Sequence, residues 1–281
     1  MPTLLSFGHG YSARRLGRDL IAEGWRVIGT TRSEETAAEL RAEGVEPASF
    51  PPPIEMLDEA DHLLTSVPPG EDGDPVLAAL GAEIVRRRFA WIGVLSTTGV
   101  YGDWNGAWVD EDAPRRGTSR RALARIAAED AWLSLSSPLR PVQVFRLAGI
   151  YGPGRGPFAK VRNGTARRIL KEGQVFSRIH VDDIALALRA SIARPDPGRV
   201  YNVNDDLPAP PEDVLEGAAK LLGLPPPPAV RFEDADMSPM ARSFYADCKR
   251  TANRRLREEL GVALRHPTWR EGLAAILAEE G

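Results

Sequence analysis

The stretch LLSFGHGYSARRLG, residues 4–17, decides the fold of this chain. An apolar run leads through the pattern G-x-G-x-x-A, formed by Gly8, Gly10 and Ala13, into an amphipathic segment. The first glycine permits a tight turn, the second lets backbone N–H groups approach a pyrophosphate, and the small third residue lets helix pack on strand. At the start of a strand–helix–strand unit this pattern predicts a dinucleotide-binding turn, with a plain glycine turn as the alternative. The predicted contacts are Gly8, His9, Gly10, Tyr11, Ser12 and Ala13.

Apolar runs and amphipathic stretches alternate through the first 150 residues. The predicted strands are Thr3–Phe7, Arg26–Thr30, His62–Ser66, Ala90–Ser96 and Gln143–Leu147. The predicted helices between them include Ala13–Ala22, Val76–Arg87 and Ser119–Leu133. This alternation is typical of right-handed βαβ units, so we predict an α/β protein with a Rossmann-type, doubly wound parallel sheet.

The pattern loosens after Tyr151, where YGPGRGP, PDPG and LPPPPAV are rich in turn formers that interrupt helices and central strands. Residues 181–203 return to the sheet as one helix and a short strand. We therefore predict a dinucleotide-binding domain of residues 1–150 and 181–203. A smaller, discontinuous substrate lobe is predicted for residues 151–180 and 204–281.

Composition excludes several classes of function. The net charge is −3, which provides no field for gathering nucleic acid or an anionic membrane. The single cysteine and four histidines show no metal-ligand spacing, so no metal site is expected. The first ten residues carry neither a basic start nor a long apolar run, and a cytoplasmic location is the expectation.

The end of the second predicted strand bears on the choice of dinucleotide. NAD sites place a carboxylate there for the ribose 2′-hydroxyl, whereas this chain has Thr31 and Arg32. A guanidinium can pair with a 2′-phosphate, so we predict NADP in preference to NAD, although a solvated arginine is a common alternative. Ser66, Val67 and Pro68, after the next strand, are predicted neighbours of the adenosine or ribose, or a rigid loop.

Four further motifs follow in order: LSTTGVYGD (95–103), FRLAGIYGPGR (145–155), RIHVDDIALAL (178–188) and YNVNDD (201–206). With the N-terminal turn they resemble the extended branch of the short-chain dehydrogenase/reductases, and in particular atypical proteins similar to nucleoside-diphosphate-sugar epimerases. The resemblance covers essentially the whole chain. It implies a Rossmann-type domain with a small C-terminal substrate lobe, and a catalytic hydroxyl at Thr97 beside a cofactor contact at Ser96.

The resemblance also implies a catalytic Tyr-x-x-x-Lys on the helix that follows Tyr101. The run ALARIAAED sets the register and puts Arg121 at the tyrosine position and Arg125 at the lysine position. A phenol beside an ammonium can exchange a proton near neutrality, whereas a guanidinium stays charged. Arg125 can still donate to the nicotinamide ribose. The sequence thus predicts a retained cofactor site without the usual proton-transfer group.

Other side chains are candidates for the missing proton, namely Tyr101, Tyr151 and His180. Tyr151, His180 and Arg178 are also the predicted substrate contacts, although a structural role is the alternative for His180. Asp182 is predicted to cap the following helix. A second Tyr-x-x-x-Lys, Tyr245 to Lys249, is interpreted as a coincidence because it falls in the predicted lobe.

Two functions remain open from the sequence. One is an NADP-dependent oxidoreductase or epimerase-like enzyme for a small polar substrate, which could be a sugar nucleotide. The other is a non-catalytic protein that senses NADP(H) and acts through a partner. The resemblance further implies a homodimer through the helices at Val76–Arg87 and Ser119–Leu133.

Overall fold

The computed structural model describes residues 1–280. Its strands, in chain order, are β1 Thr3–Phe7, β2 Arg26–Thr30, β3 Glu46–Ala48, β4 His62–Thr65, β5 Trp91–Thr97, β6 Trp108–Val109, β7 Val142–Leu147, β8 Gly149–Tyr151, β9 Arg168–Leu170, β10 Arg178–His180, β11 Val200–Val203, β12 Ala229–Arg231 and β13 Arg250–Thr251.

The helices connect these strands and cover both faces of the sheet. They are α1 Tyr11–Ala22, α2 Glu34–Ala42, α3 Glu55–Asp58, α4 Pro75–Val85, α5 Arg120–Ser134, α6 Phe158–Arg162, α7 Val181–Ala193, α8 Pro211–Leu221, α9 Pro239–Phe244, α10 Arg254–Glu258 and α11 Trp269–Glu280, with a 3-10 turn at Thr98–Tyr101. Within residues 1–280 no helix combines the length and the apolar character that a membrane span needs.

A seven-stranded parallel sheet forms the centre, in the order β11-β7-β5-β4-β1-β2-β3. The chain builds outward from β1 to β3 and then returns to the other side of β1 with β4. The strand order therefore reverses between β1 and β4, and ligands of open α/β sheets bind at the carboxyl ends of strands beside such a reversal. This topology confirms the predicted doubly wound α/β sheet.

Two apolar layers hold the sheet between helices. On one face Leu16 and Leu20 of α1 pack with Ile184 and Leu188 of α7. On the other face Leu80 and Ile84 of α4 pack with Trp132 of α5. Burial on both faces explains why the strands read as continuous apolar runs and why the five predicted strands match the observed ones to within a residue at each end.

The short strand β3 is absent from the predictions. It has three residues, includes Pro47 and lies at the edge of the sheet, so it carries little apolar signal. The predicted single helix and strand of residues 181–203 are confirmed as α7 and β11.

A separate apolar cluster lies beyond the carboxyl edge of the sheet. Its members come from segments that the sequence assigns to the smaller lobe and include Phe158, Val161, Ala218, Trp269 and Leu273. The sequence also assigns the segment around α10 to the smaller lobe, but this segment packs on the main domain. Leu256, Leu260 and Val262 pack in the layer with α1 and α7, so this part of the predicted lobe completes the core of the main sheet.

Candidate functional site

The turn between β1 and α1 lies where the strand order reverses. Gly8 has a φ of +70°, and a Cβ there would lie 3.0 Å from the side chain of Val67, so only glycine fits. Gly10 has an ordinary φ of −97°, and the nearest atom that a Cβ would meet is the Gly8 carbonyl oxygen at 3.8 Å. The structure therefore leaves open space above the second glycine.

The N-terminus of α1 faces this open space. Its N-cap, Gly10, supplies no side-chain cap, and the first turn contains no acidic residue. Helical geometry leaves the backbone N–H groups of Tyr11, Ser12 and Ala13 without an acceptor inside the helix, because the first intrahelical bond runs from Arg14 to Gly10. Free amides at the positive end of a helix dipole fit a pyrophosphate.

His9 differs from its predicted role as a dinucleotide contact. Its backbone N–H donates to the Thr30 carbonyl oxygen at 3.2 Å, and its ring lies inside the protein against Gly17 and Gly29. Burial lowers the pKa of this imidazole to about 4. Because its ring is directed into the core, His9 supports the turn from below and does not present its side chain to a ligand.

The end of β2 carries the residues that bear on the ribose. The Thr31 hydroxyl accepts a hydrogen bond from the Ser33 backbone N–H at 3.2 Å, and Ser33 caps α2. Arg32 is exposed and has no carboxylate partner among residues 1–280. A guanidinium without a partner therefore stands beside the position where NAD sites hold a carboxylate.

The end of β4 closes the glycine turn from the other side. The Ser66 hydroxyl donates to the Gly8 carbonyl oxygen, and Val67 packs on Gly8. Pro68 is exposed. The Ser66 side chain is therefore engaged in holding the turn, while Val67 and Pro68 follow β4 at the carboxyl edge of the sheet, where open α/β sheets bind ligands in a crevice.

Thr97 ends β5 at the same edge of the sheet. It is half-buried, and its hydroxyl accepts from the Gly99 backbone N–H at 3.1 Å, which begins the 3-10 turn. The adjacent Ser96 is buried, and its hydroxyl donates to Glu129 at 2.5 Å. Ser96 is thus directed into the core instead of toward a cofactor, which corrects its prediction as a cofactor contact.

The two arginines of α5 have different surroundings. Arg125 is half-buried and donates to the Leu95 carbonyl oxygen of β5 at 2.8 Å, so it reaches the strand that carries Thr97. Burial lowers the pKa of its guanidinium. Arg121, one turn earlier, is exposed. The position that the family gives to lysine is therefore half-buried against β5, and the position of the tyrosine is exposed on α5.

A buried ion pair between Glu129 and Arg146 contacts Ser96 and Tyr101. Glu129 is fully buried and accepts hydrogen bonds from Arg146 at 2.9 Å and from Ser96. Arg146 also donates to the Tyr101 hydroxyl at 2.8 Å, and that hydroxyl donates to Asn202 at 2.7 Å. Burial raises the pKa of Tyr101 to about 12. Tyr101 therefore stabilises the core, and its predicted role in proton transfer does not fit this geometry.

Tyr151 and His180 are also enclosed. The Tyr151 hydroxyl is buried without a hydrogen-bond partner within residues 1–280 and lies against Gly272, and its ring meets His180 edge to face at 5.2 Å. Burial raises the pKa of Tyr151 above its usual range and lowers that of His180 to about 4. Neither side chain fits the predicted roles in proton transfer or substrate contact.

His180, and not Asp182 as predicted, caps α7, because its Nδ1 accepts from the Asp182 backbone N–H at 3.3 Å. Asp182 pairs with Arg15 at 2.5 Å and with Arg265 at 3.3 Å. The spacing along the chain gave no sign that His180, Asp182 and His266 would place a potential metal-ligand atom each within 4.8 Å of one another. Both carboxylate oxygens are engaged by guanidinium groups, which makes an ion-paired cluster the simpler description.

Arg178 lies in the smaller lobe. Its guanidinium donates to the carbonyl oxygens of Phe176 at 2.9 Å and Ala209 at 3.0 Å, and burial lowers its pKa. Asp205 is nearby, fully buried, with Oδ2 unpaired. Burial raises the pKa of this carboxyl to about 8.

The segment that contains Lys249 crosses from the lobe to the main domain. The Cys248 backbone N–H donates to Asp103 at 2.7 Å, β13 pairs with β6, and Lys249 donates to the Gly102 carbonyl oxygen at 2.8 Å. The sequence interpretation, which placed this segment in the lobe, missed this contact. Tyr245 ends α9 and Lys249 lies beyond that helix, so the two do not share a helical face as the family pair does.

Two grooves lie on the surface. One of about 670 Å³ is lined by Trp25, His62 and Val262 at the end of the sheet opposite the crevice. Another, of about 490 Å³, is lined by Gln174, Glu212 and other residues of the smaller lobe. The larger groove therefore does not coincide with the glycine turn or with Thr97.

Comparisons with known proteins agree with this fold. No protein-family model matches the chain. A 3-diazoavenalumate denitrifying reductase of Streptomyces is 37% identical over 175 residues, which are 58% of this chain and 55% of that protein. The chain thus spans about half the length of this relative.

Solved structures match over the whole chain. A conserved protein of Silicibacter pomeroyi with no known function is 57% identical, with a TM-score of 0.95 and 99% of both chains covered. A Methylobacillus flagellatus protein assigned to the NAD-dependent epimerases/dehydratases is 25% identical, with a TM-score of 0.73 over 99% of this chain and 98% of that one. MoeE5, solved with UDP-glucose and NAD, is 19% identical with a TM-score of 0.75 over 98% and 97%, which shows a common fold.

The glycine turn at the strand-order reversal, the hydroxyl at the end of β5 and the arginine that reaches it from α5 occupy one edge of one parallel sheet. Together with these structural matches, they show that the chain has the Rossmann-type fold of the NAD-dependent epimerases and dehydratases.

Proposed function

We propose that this protein is an NADP(H)-dependent oxidoreductase or epimerase-like enzyme that acts on a small polar substrate without a Tyr-x-x-x-Lys pair. One observation carries the proposal: an open glycine turn with free amides at the start of α1 lies at the same carboxyl edge of the sheet as Thr97, and Arg125 reaches the strand that carries Thr97. The bound dinucleotide would supply or accept a hydride at this crevice.

The preference for NADP rests on the end of β2. Thr31 and Arg32 replace the carboxylate that would repel a 2′-phosphate, and Arg32 has no acidic partner in the described chain to neutralise it. A charge-assisted hydrogen bond to a phosphate contributes about 1.5–3 kcal/mol, or roughly tenfold to hundredfold in affinity. NADP(H) should therefore bind more tightly than NAD(H).

Two side chains near the end of β5, Thr97 and Arg125, support hydride chemistry. The Thr97 hydroxyl can bond a substrate oxygen at the end of β5. Arg125 is held in place by its bond to Leu95 and keeps further N–H donors for the nicotinamide ribose or for negative charge that develops on the substrate. These two residues bind and orient, but neither exchanges a proton near neutrality.

The proposal for the substrate class rests on two similar proteins. The Streptomyces relative is named as a reductase of a diazo compound, and MoeE5 binds UDP-glucose. Both are polar molecules, and both agree with a substrate that occupies the space between the sheet edge and the smaller lobe. We propose a small polar hydride acceptor or donor, and a sugar nucleotide is one member of that class.

A second candidate function is a non-catalytic protein that binds NADP(H) and acts through a partner. The absence of the tyrosine and lysine favours it, since the cofactor turn alone suffices for binding. The two candidates differ in turnover, because only the enzyme consumes NADPH in the presence of a substrate.

The test is an equilibrium titration with NADPH, NADP, NADH and NAD, using wild-type protein and the variant Arg32→Ala. We expect the wild type to prefer the phosphorylated pair and the variant to lose tenfold or more in NADPH affinity, with NADH affinity within twofold. Arg18→Ala, which removes an exposed arginine from α1, is the matched control. Equal losses for NADPH and NADH would contradict the role of Arg32, and absence of binding by all four nucleotides would contradict both candidate functions.

A further inference from the structure

The groove of about 670 Å³ lies at the amino-terminal edge of the sheet and takes no part in the proposed function. The end of α1, the second half of α7 and the loop after α10 enclose it. Its apolar walls are formed by Leu20, Leu186, Ile192 and Val262. Sites for small molecules have volumes of about 300–1,000 Å³ and mostly apolar walls, so this groove has the size and the lining of a ligand site.

One polar ring, the imidazole of His62, borders the groove. His62 begins β4 at the centre of the sheet, between Leu4 of β1 and Trp91 of β5. Side chains alternate along a strand, so Leu63 packs with α4 on one face and His62 lies on the face of α1 and α7. His62 is 8% exposed. The wall of the groove therefore contains a polar group that is more than nine-tenths buried.

The hydrogen bonds around His62 leave its Nδ1 unsatisfied. This nitrogen is enclosed and has no partner atom within residues 1–280. The indole of Trp91, which lies beside His62 in the sheet, is instead satisfied, because its Nε1 donates to Ser191 at 2.7 Å and Ser191 donates to Gln143 at 2.6 Å. Buried polar groups in proteins are nearly always hydrogen-bonded. The imidazole is therefore an exception that the packing of the chain does not explain.

The position of the ring proton follows from this enclosure. A buried N–H without an acceptor is rarer in proteins than a buried lone pair without a donor, so the proton belongs on Nε2. Nε2 is not enclosed in the same way, which leaves it open to the groove. Burial lowers the pKa of the imidazole, and the Asp61 carboxylate opposes this effect only in part, so the ring is neutral at pH 7. The groove wall thus presents one uncharged N–H donor.

Trp25 supplies a flat aromatic wall beside this donor. Its indole is half-buried and lines the groove. The ring centroids of Trp25 and His62 are 4.7 Å apart, and the angle between the two planes is 57°. An aromatic ligand packs well against such a face in an offset or edge-to-face arrangement. The groove therefore favours a planar ring over a flexible chain.

The charges at the rim of the groove are matched. Arg189 pairs with Glu23 and lies 3.9 Å from Asp19, and both Arg189 and Glu23 line the groove. These carboxylates already engage the guanidinium, so an anionic ligand gains no partner from it. A charged group would also lose its hydration between the apolar walls. The groove therefore favours an uncharged ligand.

We propose that the groove binds an uncharged, planar aromatic compound whose carbonyl oxygen accepts a hydrogen bond from Nε2 of His62 while its ring packs on Trp25. None of the lining residues belongs to the glycine turn or to the segment around Thr97. The proposal therefore goes beyond the proposed function and stands or falls independently of it.

The test uses benzamide as the probe, because it has a planar ring and an amide carbonyl that NADPH does not reduce. With ¹⁵N-labelled histidine the four imidazoles give four sets of NMR signals, and the set lost in His62→Phe belongs to residue 62. We expect His62 to carry its proton on Nε2 and to shift with a Kd of about 1 mM or tighter, with or without saturating NADPH. The signals of His9, His180 and His266 should stay in place. A proton on Nδ1, or no shift of His62 as benzamide is added, would overturn the proposal.

Three matched probes separate the features of the ligand. Toluene removes the carbonyl group, benzoate adds a charge, and cyclohexanecarboxamide removes the planar ring. We expect each to bind at least about threefold more weakly than benzamide, which for toluene corresponds to the loss of one hydrogen bond. Equal or tighter binding of any one of them would overturn the proposed ligand class.

Two variants test the same contacts from the side of the protein. His62→Phe keeps a ring and removes the donor, so benzamide affinity should fall by about threefold to tenfold while toluene affinity stays within twofold. Ala263→Trp, at an exposed position that lines the groove, should abolish the binding of both probes, whereas Ala274→Trp on the exposed face of α11 should not. Ala263→Trp keeps the test valid if His62→Phe does not fold. Full benzamide affinity in either groove variant would overturn the proposal.

The other occupant to consider is a second copy of the chain. Light scattering of the wild type and of Ala263→Trp distinguishes it, and we expect the same mass for both. A wild-type dimer that becomes a monomer in Ala263→Trp would assign the groove to a subunit interface and overturn the ligand site.

Discussion

The two ends of the crevice are built in different ways. The proposed cofactor end is a backbone structure in which two glycines and the free amides of α1 would bind the dinucleotide. The catalytic end is a side-chain structure in which Thr97, Arg125 and the buried Glu129–Arg146 pair come from separate segments. Apart from its two glycines, a backbone site tolerates substitutions that leave the path of the chain intact, whereas a side-chain site changes its chemistry with one substitution. This difference explains how the cofactor end can persist while the catalytic pair is replaced.

The largest effect is expected from Glu129→Gln, which tests whether side chains hold the catalytic end together. The change leaves the buried guanidinium of Arg146 without its charged partner, so we expect a loss of about 3–5 kcal/mol in the free energy of unfolding. Chemical denaturation measures it, with Glu34→Gln in an exposed pair as control, expected to lose less than about 1 kcal/mol. Equal small losses would mean that the ion pair is not structurally important.

Thr97→Val separates the two ends functionally. It keeps the shape of the side chain and removes the hydroxyl, so we expect kcat to fall by about 100-fold or more while NADPH affinity stays within twofold. Steady-state kinetics measures kcat, and fluorescence titration measures the NADPH affinity. Unchanged kcat would show that the family's hydroxyl is unused in this protein.

Gly10→Ala is the converse test at the cofactor end. Its φ suits alanine and its Cβ would enter open space, so the Tm should not change. The methyl group would occupy the position of the pyrophosphate, and we expect NADPH affinity to fall by about tenfold. Gly81→Ala in α4 is the control, with unaltered binding. Full affinity in Gly10→Ala would place the dinucleotide elsewhere.

The last prediction concerns the acid sensitivity of the glycine turn. The pKa of His9 is about 4 in the fold, against an ordinary 6.5, so below pH 6.5 the unfolded chain binds the extra proton and folding stability declines toward pH 4. His9→Leu should lessen this decline by at most about 1.4 kcal/mol per pH unit. Unfolding curves at pH 4.5, 5.5, 6.5 and 7.5 measure it. Parallel profiles for both proteins would mean that His9 is already protonated or exposed.

Sequence reasoning predicted the fold well because the relevant signals are local. The strands are apolar runs, and the G-x-G-x-x-A turn occupies six consecutive residues. The roles of individual side chains were less predictable, since they depend on contacts across the chain. Tyr101 meets Asn202, and Lys249 meets Gly102, across separations of 101 and 147 positions that no local pattern encodes. The absence of the Tyr-x-x-x-Lys pair could be read directly, but the contacts of the side chains around its expected place could not.

The pairing of β13 with β6 has a consequence for biosynthesis. Residues 250 and 251 pair with residues 108 and 109 in the loop that follows Thr97, so this loop gains its partner only after residue 251 has been made. The strands β1, β2 and β4 and the glycine turn are made much earlier, within residues 1–65, and α7, the packing partner of α1, follows at residues 181–193. Because domains fold as their segments emerge during synthesis, a nascent chain should be able to bind nucleotide well before it can be catalytically complete. A dinucleotide in the cell could therefore act on this protein first as a folding ligand.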